Sequence, residues 1–221
     1  MSKIRCVRRG VILACACLLT GTVLWAQKNA ASAPQSHVST DLSVTYSVEQ
    51  AKLASGTCGC FWLQGGGVDG AVTFWKGLGL AAAFAGGHAG SVAPGVDVDK
   101  VAFTAGPRYT YNAWKGHAAA TDQHRLQIFG QGLFGYMHGF DGVYPTAGGV
   151  TSSAGSLAIE AGGGLNLFFT RRLGVRLIQA EYVRSALPNN GSNAQNDTRL
   201  SFGFAYHLGA GAPPPPPAVA R

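Results

Sequence analysis

Apolar and polar residues alternate with a period of two along much of this 221-residue chain. Over residues 42–49, apolar side chains occupy the even positions and polar side chains the odd ones. A two-residue period is typical of a β-strand whose two faces meet different environments. No internal run of about 18 or more apolar residues occurs, so a bundle of membrane-spanning helices is excluded. The pattern therefore predicts an all-β protein.

The alternation recurs in eight segments, each long enough to form a strand. In the seventh segment, Arg176 and Glu181 fall on opposite parities, so the register of that segment stays open. A β-bulge between the two residues is one explanation, because a bulge shifts the alternation by one residue. The predicted strands lie at about 41–49, 61–75, 77–88, 98–113, 123–138, 155–169, 173–186 and 198–208.

The composition indicates which environment these strands suit. Charged residues make up 12% of the chain and apolar residues 47%, with 32 glycines, whereas soluble domains carry about 25% charged residues. The polar parity is rich in Ser, Thr, Gln and Gly rather than in Lys and Glu. These features favour an eight-stranded antiparallel up-and-down transmembrane β-barrel. A soluble β-sandwich or lipocalin-like barrel, whose apolar parity would face inward, is the alternative.

The predicted connections alternate between short and long. Short turns are expected at 75–77 and 170–172, with a longer link at 114–121, and this end is typical of the periplasmic side. Long loops, typical of the extracellular side, are expected at about 51–60, 88–98, 139–154 and 187–197. Aromatic residues beside the short turns predict an interfacial belt. The residues of this predicted belt are Trp75, Trp114, Phe168 and Phe169.

The N-terminus predicts export. Four basic residues at 3–9 precede an apolar stretch from Val11 to Ala26, the pattern of a secretory signal peptide. Cleavage after Ala26 is expected, and a lipid-anchored start at Cys15 or Cys17 is the alternative. Removing residues 1–26 lowers the net charge from +7 to +3, so the charge does not indicate a nucleic-acid partner. The predicted organisation is a signal peptide at 1–26, a periplasmic N-terminal segment at 27–39, the barrel at 40–209 and a Pro-rich tail at 210–221.

The cysteines of the expected mature chain are Cys58 and Cys60, separated by one residue. An oxidising compartment allows a disulfide between them, although so small a loop implies strain. Two free thiols, or a redox or metal role, are the alternatives. A structural zinc site needs four ligands, and no His or Cys pair stands at a matching spacing. The sequence therefore predicts neither a metal nor a cofactor.

The eighth segment, Ser201-Phe202-Gly203-Phe204-Ala205-Tyr206-His207-Leu208, is similar to the C-terminal signal by which outer-membrane barrels are recognised for assembly. With motifs at 106–111, 130–135 and 178–182, the chain resembles the small OmpA-like and OmpX-like outer-membrane β-barrel domains over about residues 38–209. The resemblance implies an outer-membrane location, the barrel assembly machinery as a partner, and contact with outer-membrane lipid and lipopolysaccharide. The tail departs from this pattern, because a run of five prolines at 213–217 favours polyproline II. The assembly-signal positions are Ser201, Gly203, Tyr206 and Leu208.

The interior of an eight-stranded barrel is just wide enough for side chains to fill. The polar parity directs three acids and three bases inward, and we expect them to pair because an unpaired buried charge is costly. We therefore predict a closed lumen and a structural or surface-interaction role without catalysis, with no extracellular ligand identified. The predicted lumen charges are Glu49, Asp69, Arg108, Arg125, Glu160 and Arg199.

Two other functions are open. One is a narrow small-solute or ion pore through the same lumen residues. The other is a lipid-modifying enzyme of the outer membrane, which needs a nucleophile and a base within contact at the rim. Two G-x-G-x-x-G matches, at 65–70 and 130–135, neither follow a strand nor open a helix, which excludes a nucleotide site. The rim residues considered for an enzyme are His88, His138, Ser91, Ser152 and Ser153.

Overall fold

The computed structural model describes residues 38–52, 60–115, 125–146, 148–189 and 193–209. The predicted signal peptide, the N-terminal segment up to residue 37, Cys58 and the Pro-rich tail lie outside the described residues. Within the described ranges, no helix is long and apolar enough to cross a membrane. The strands are β1 (Ser39–Lys52), β2 (Cys60–Trp75), β3 (Leu78–Ala93), β4 (Val96–Lys115), β5 (Arg125–Phe140), β6 (Tyr144–Thr146), β7 (Gly149–Thr151), β8 (Ala154–Phe168), β9 (Leu173–Ser185) and β10 (Gln195–Gly209).

Eight of these strands form a closed barrel in the order β1-β10-β9-β8-β5-β4-β3-β2, and β6 pairs with β7 in a separate hairpin between β5 and β8. Every neighbouring pair is antiparallel, which confirms the predicted topology. If the cross-strand partners are followed once around the barrel from Ser39 of β1, the path returns to β1 at Glu49, ten residues further along the strand. This stagger tilts the strands, and in an eight-stranded barrel it leaves an interior that side chains can fill.

The two faces of the barrel wall differ in chemistry. Large apolar side chains point outward, including Phe134 at 63% and Phe204 at 74% exposure. Charged and polar side chains point inward, and Arg176 is 2% exposed. A soluble sandwich or lipocalin-like barrel has the opposite arrangement, so that alternative is wrong.

The tightest turn joins β2 to β3. Lys76 and Gly77 both have positive φ angles, of 44° and 93°, as a two-residue hairpin turn requires. A Cβ at Gly77 would lie 2.3 Å from the carbonyl oxygen of Thr110, so only glycine fits. Because Ser39 and Gly209 pair near this turn, we call this the short-turn end of the barrel and the opposite one the long-loop end.

One predicted long loop is wrong. Residues 88–98 were expected to be irregular, but β3 continues to Ala93 and β4 begins at Val96, leaving only Pro94 and Gly95 between them. The pairing of β3 with β4 shifts between Ala89 and Ala93. This irregularity allows the small and polar residues of the stretch to continue the hairpin. Val92 and Val98 pack on the apolar cluster of Ala51, Leu63 and Ala89. This packing stabilises the hairpin beyond the predicted strand ends.

A β-bulge in β9 settles the register that the sequence left open. The pairing of β9 with β8 shifts by one residue beside Leu177, and Leu177 and Ile178 are both exposed. As a result Arg176 and Glu181 both point into the lumen, although their sequence parities differ.

Candidate functional site: the charged lumen

Asp69 is the centre of a buried cluster near the middle of the lumen. Its Oδ2 lies 2.6 Å from Nη2 of Arg108, and its Oδ1 accepts from Nη1 of Arg176 and from the Ser43 hydroxyl. Both guanidinium groups lie over the ring of Phe129, at 4.5 Å and 4.6 Å from its centroid. One carboxylate thus neutralises two buried cations that share an aromatic surface. We call Asp69, Arg108 and Arg176 the Asp69 cluster.

A second cluster lies between the Asp69 cluster and the long-loop end. Nη1 of Arg199 is 2.9 Å from Glu160, and its Nη2 is 2.9 Å from Glu49. Glu181 lies further from Arg199, at 3.8 Å. Thr104 donates to the other oxygen of Glu160 at 3.0 Å. Arg199 therefore holds three carboxylates that come from β1, β8 and β9.

Lys100 extends this cluster toward the long loops. Its ammonium group contacts Glu49 and lies 2.7 Å from Oδ2 of Asp197. Gln131 joins the two clusters, because it accepts from Nε of Arg108 at 2.7 Å and donates to Glu181 at 2.7 Å. The ion pairs and amide bridges thus form one continuous network through the lumen. We call the residues on the long-loop side of Gln131 the Arg199 cluster: Glu49, Lys100, Glu160, Glu181, Asp197 and Arg199.

The predicted lumen charges do not all join this network. Glu49, Asp69, Arg108, Glu160 and Arg199 lie in the two clusters. Arg125 lies instead at the short-turn end, where its guanidinium stacks on Phe168 at 4.4 Å and its Nη1 is 3.4 Å from Nε2 of His207. The other ring nitrogen of His207 lies 2.5 Å from Oδ1 of Asp41.

The predicted aromatic belt is wrong at Phe168. This residue is 0% exposed and meets the His207 ring edge-on at 5.8 Å. It shares its parity with the inward-facing Asn166, so it belongs to the lumen rather than the lipid boundary. Trp75, at 63%, and Phe169, at 42%, are exposed at the short-turn end. Trp114 lies in β4, but its side chain is outside the described set.

An apolar layer lies across the lumen at the long-loop end. Met137, Val183 and Leu187 are almost fully buried there, and Tyr144 of the β6–β7 hairpin packs against them. Burial raises the pKa of the Tyr144 phenol. This layer lies over the polar network on its long-loop side.

Two small cavities lie among the charged side chains of the lumen. One cavity of about 10 Å³ lies beside Glu49 and Lys100, and another of about 20 Å³ lies between Asp69 and Glu181. Arg199 lines both cavities. About 10–15 Å³ is the space that one water molecule needs, so each of these two cavities has room for about one water molecule.

The remaining predicted residues lie at the ends of the barrel. Cys60, at the start of β2, is an exposed free thiol, while its predicted disulfide partner lies outside the described residues. Nδ1 of His88 is 2.6 Å from Oδ1 of Asp99, and the His138 ring stacks on Phe140 at 6.1 Å. The predicted enzyme residues Ser152 and Ser153 are exposed in the loop before β8. Ser91 lies in β3, with its side chain outside the described set.

Four members of the network were missed by sequence reasoning. Lys100 lies within the predicted strand 98–113 and has the same parity as Arg108, so the alternation already indicated its inward position. Asp197 has the same parity as Arg199 but lies one residue before the predicted strand 198–208. Arg176 and Glu181 were left unassigned because a bulge is invisible to a strict period of two. Asp41, at the short-turn end, was taken only as the start of a strand.

Known proteins with this architecture were found by structure but not by sequence. No protein-family model and no curated protein matches the chain. Ail, the attachment invasion locus protein of Yersinia pestis, is 18% identical, with a TM-score of 0.51, over 78% of this chain and 99% of that one. The chain has the fold of a small outer-membrane β-barrel. Neisserial surface protein A (NspA) shares this outer-membrane fold at 12% identity and a TM-score of 0.55, over 76% of this chain and 96% of that one.

Proposed function

We propose that this outer-membrane-type barrel is an integral protein with a closed lumen and a structural or surface-interaction role. The observation that carries the proposal is the continuous buried network of the Asp69 and Arg199 clusters. Inward charges that are paired with one another fix the barrel's shape, because moving any partner leaves a buried charge uncompensated. The outward apolar face supplies the contact with lipid.

The closed state is supported at three levels of the lumen. The stacked Arg125 and Phe168 fill the short-turn end, the ion pairs fill the centre, and Met137 and Tyr144 lie in the apolar layer at the long-loop end. Solute passage would require all three levels to rearrange together. We therefore infer that the protein acts through its outer surface and loops rather than through transport.

The proposed orientation places the long loops outside the cell and the short turns in the periplasm. We further propose that residues 1–26 direct export and are removed, and that Ser201, Gly203, Tyr206 and Leu208 serve as the assembly signal. Phe202 and Phe204, which alternate with two of these positions, lie on the lipid-facing side of β10. We infer no catalytic role, so expression in a host strain is expected to leave the lipid A mass spectrum unchanged.

A narrow ion path is the second candidate, and one observation favours it. The two small cavities lie on either side of Arg199, which lines both of them. Displacement of this one side chain would join the two spaces.

Planar-bilayer recording of the refolded mature chain tests both candidates. Heat-dependent mobility on gels first establishes that the barrel has folded. We then expect no discrete single-channel steps from the wild-type protein. Steps that appear in the wild type and are abolished by Arg108→Ala or Glu160→Ala would reject the closed lumen and favour the ion path. Asp141→Asn, which removes a charge at an exposed loop position, is the control for loss of charge outside the lumen.

A further inference from the structure

Arg125 has an unpaired edge at the short-turn end of the lumen. Its Nη1 donates to Nε2 of His207 at 3.4 Å. Its Nε and Nη2 are shielded from solvent and have no hydrogen-bond acceptor among the described residues. A buried N–H group without an acceptor is unfavourable. These two donors therefore suit a ligand that supplies two acceptor atoms.

Neighbouring side chains hold the Arg125 guanidinium in place. It stacks on Phe168 at 4.4 Å from the ring centroid, and that ring is 0% exposed. His207, which accepts from Nη1, is held in turn by Asp41 at 2.5 Å. Nε and Nη2 lie on one edge of the planar group, and their N–H bonds match two oxygen atoms of one carboxylate or phosphate. The donor edge is thus oriented before a ligand binds.

The charges at the short-turn end favour an anion. Lys76 and Arg172 are exposed there, and the Arg172 carbonyl accepts from the backbone N–H of His207 at 2.7 Å, which places the β8–β9 turn beside the site. Asp41 is the one acid among the described residues of this end, and its carboxylate already contacts His207 and Gln127. Because a phosphate group carries more negative charge near neutral pH than a carboxylate does, these basic groups favour phosphate.

We propose that Arg125 binds a phosphate group at the short-turn end of the lumen, with Nε and Nη2 donating to two of its oxygen atoms. Arg125 is the first residue of β5 and is only partly buried, so a ligand reaches it from the solvent at that end. The site faces the lumen, whereas lipid headgroups lie outside the barrel wall. We therefore expect free phosphate or a small phosphate ester rather than a phospholipid. The proposal adds a ligand to the function proposed above and does not require the lumen to conduct.

The test uses the refolded mature chain in micelles of an uncharged detergent. Heat-dependent gel mobility first establishes that the wild type and each variant have folded. Thermal unfolding is then followed by tryptophan fluorescence in sodium phosphate and in sodium chloride of the same ionic strength. Matching the ionic strength separates binding of phosphate from screening of charge.

We expect about 20 mM phosphate to raise the unfolding midpoint by about 3 °C relative to chloride, a shift that ligand binding gives a domain of this length. Arg125→Lys keeps the positive charge but loses the paired donors, and should lose most of the increase. Arg125→Gln, which removes the charge as well, should lose all of it. Arg184→Lys, the same change at an exposed position of β9 near the long-loop end, should retain it.

Two results would overturn the proposal. Equal midpoints in phosphate and in chloride would show that phosphate does not bind the folded barrel. An increase retained in either Arg125 variant would assign the shift to the general stabilising effect of phosphate salts or to another site.

Mixed micelles that contain phosphatidylglycerol, in chloride alone, test a lipid as the source of the phosphate. An increase that depends on Arg125 in these micelles, without one in inorganic phosphate, would overturn free phosphate as the ligand and identify a lipid headgroup instead. Absence of heat-dependent mobility in every sample would reject the proposed barrel itself. A folded barrel without a phosphate-dependent shift would reject the Arg125 site alone.

Discussion

The Asp69 cluster gives the sharpest test of how the lumen is stabilised. Asp69→Asn preserves the shape of the side chain but removes the one carboxylate that Arg108 and Arg176 share. It also turns an acceptor into an NH₂ group facing two guanidinium groups. Because Arg108 and Arg176 are each 2% exposed, bulk water does not reach their guanidinium groups to replace the lost partner.

The expected cost follows from this geometry. Removing one partner of a buried ion pair destabilises a protein by about 3–5 kcal/mol, and here one removal affects two cations. We therefore expect Asp69→Asn to lower the free energy of unfolding by at least about 4 kcal/mol. If that free energy falls by about 2 kcal/mol per M urea, the urea midpoint falls by about 2 M. Unfolding is followed in detergent micelles by tryptophan fluorescence and by gel mobility.

Two further variants decide whether charge is the cause. Asp69→Asn combined with Arg108→Met removes one cation along with the anion, and should be more stable than Asp69→Asn alone by about 1–2 kcal/mol. Asp141→Asn makes the same chemical change at an exposed site and should alter stability by less than about 0.5 kcal/mol. A cost below about 1 kcal/mol for Asp69→Asn, or a double variant weaker than the single one, would refute the reasoning.

Three other predictions use the same unfolding assay or simple labelling. Gly77→Ala should destabilise by more than about 1 kcal/mol, because the new Cβ meets the Thr110 carbonyl at 2.3 Å; an unchanged midpoint would contradict the turn geometry. Phe168→Ala should lower the free energy of unfolding by about 3–5 kcal/mol because the ring is buried, and Phe169→Ala by under about 1 kcal/mol because that ring is exposed. Equal losses would indicate that Phe168 lies at the lipid boundary instead. A membrane-impermeant maleimide applied outside intact cells after mild reduction should label the exposed Cys60 thiol, so that Cys60→Ser lowers the labelling stoichiometry by one; unchanged stoichiometry would place the long-loop end inside.

The strands and most of their inward positions could be predicted because alternation is a local property. Each of Asp69, Glu160 and Arg199 was assigned to the lumen from its neighbours within a few residues, and each is buried there. The failures have local causes too. The glycines and serine of residues 88–98 suggested a loop, but the pairing of β3 with β4 continues through most of this stretch. Phe168 was assigned by its nearness to a turn, although its parity already indicated the interior.

The ion-pair partners were not readable from the sequence. Asp69 and Arg176 are 107 residues apart, and Lys100 and Asp197 are 97 apart. Which charges meet depends on the tilt of the strands and on the bulge beside Leu177, and a one-residue change in either would bring different side chains together.

The sequence by itself determined an eight-stranded membrane barrel, because the period of two and the scarcity of charge fix which face of each strand meets lipid. Only the tertiary structure decided which lumen charges pair with one another. The ten-residue stagger between Ser39 and Glu49 places residues that are distant in sequence at the same level of the lumen. As a result Asp69 pairs with two Arg side chains, and Arg199 contacts three carboxylates. Burial makes each of those charges dependent on its partners, and this interdependence arises only when the barrel closes.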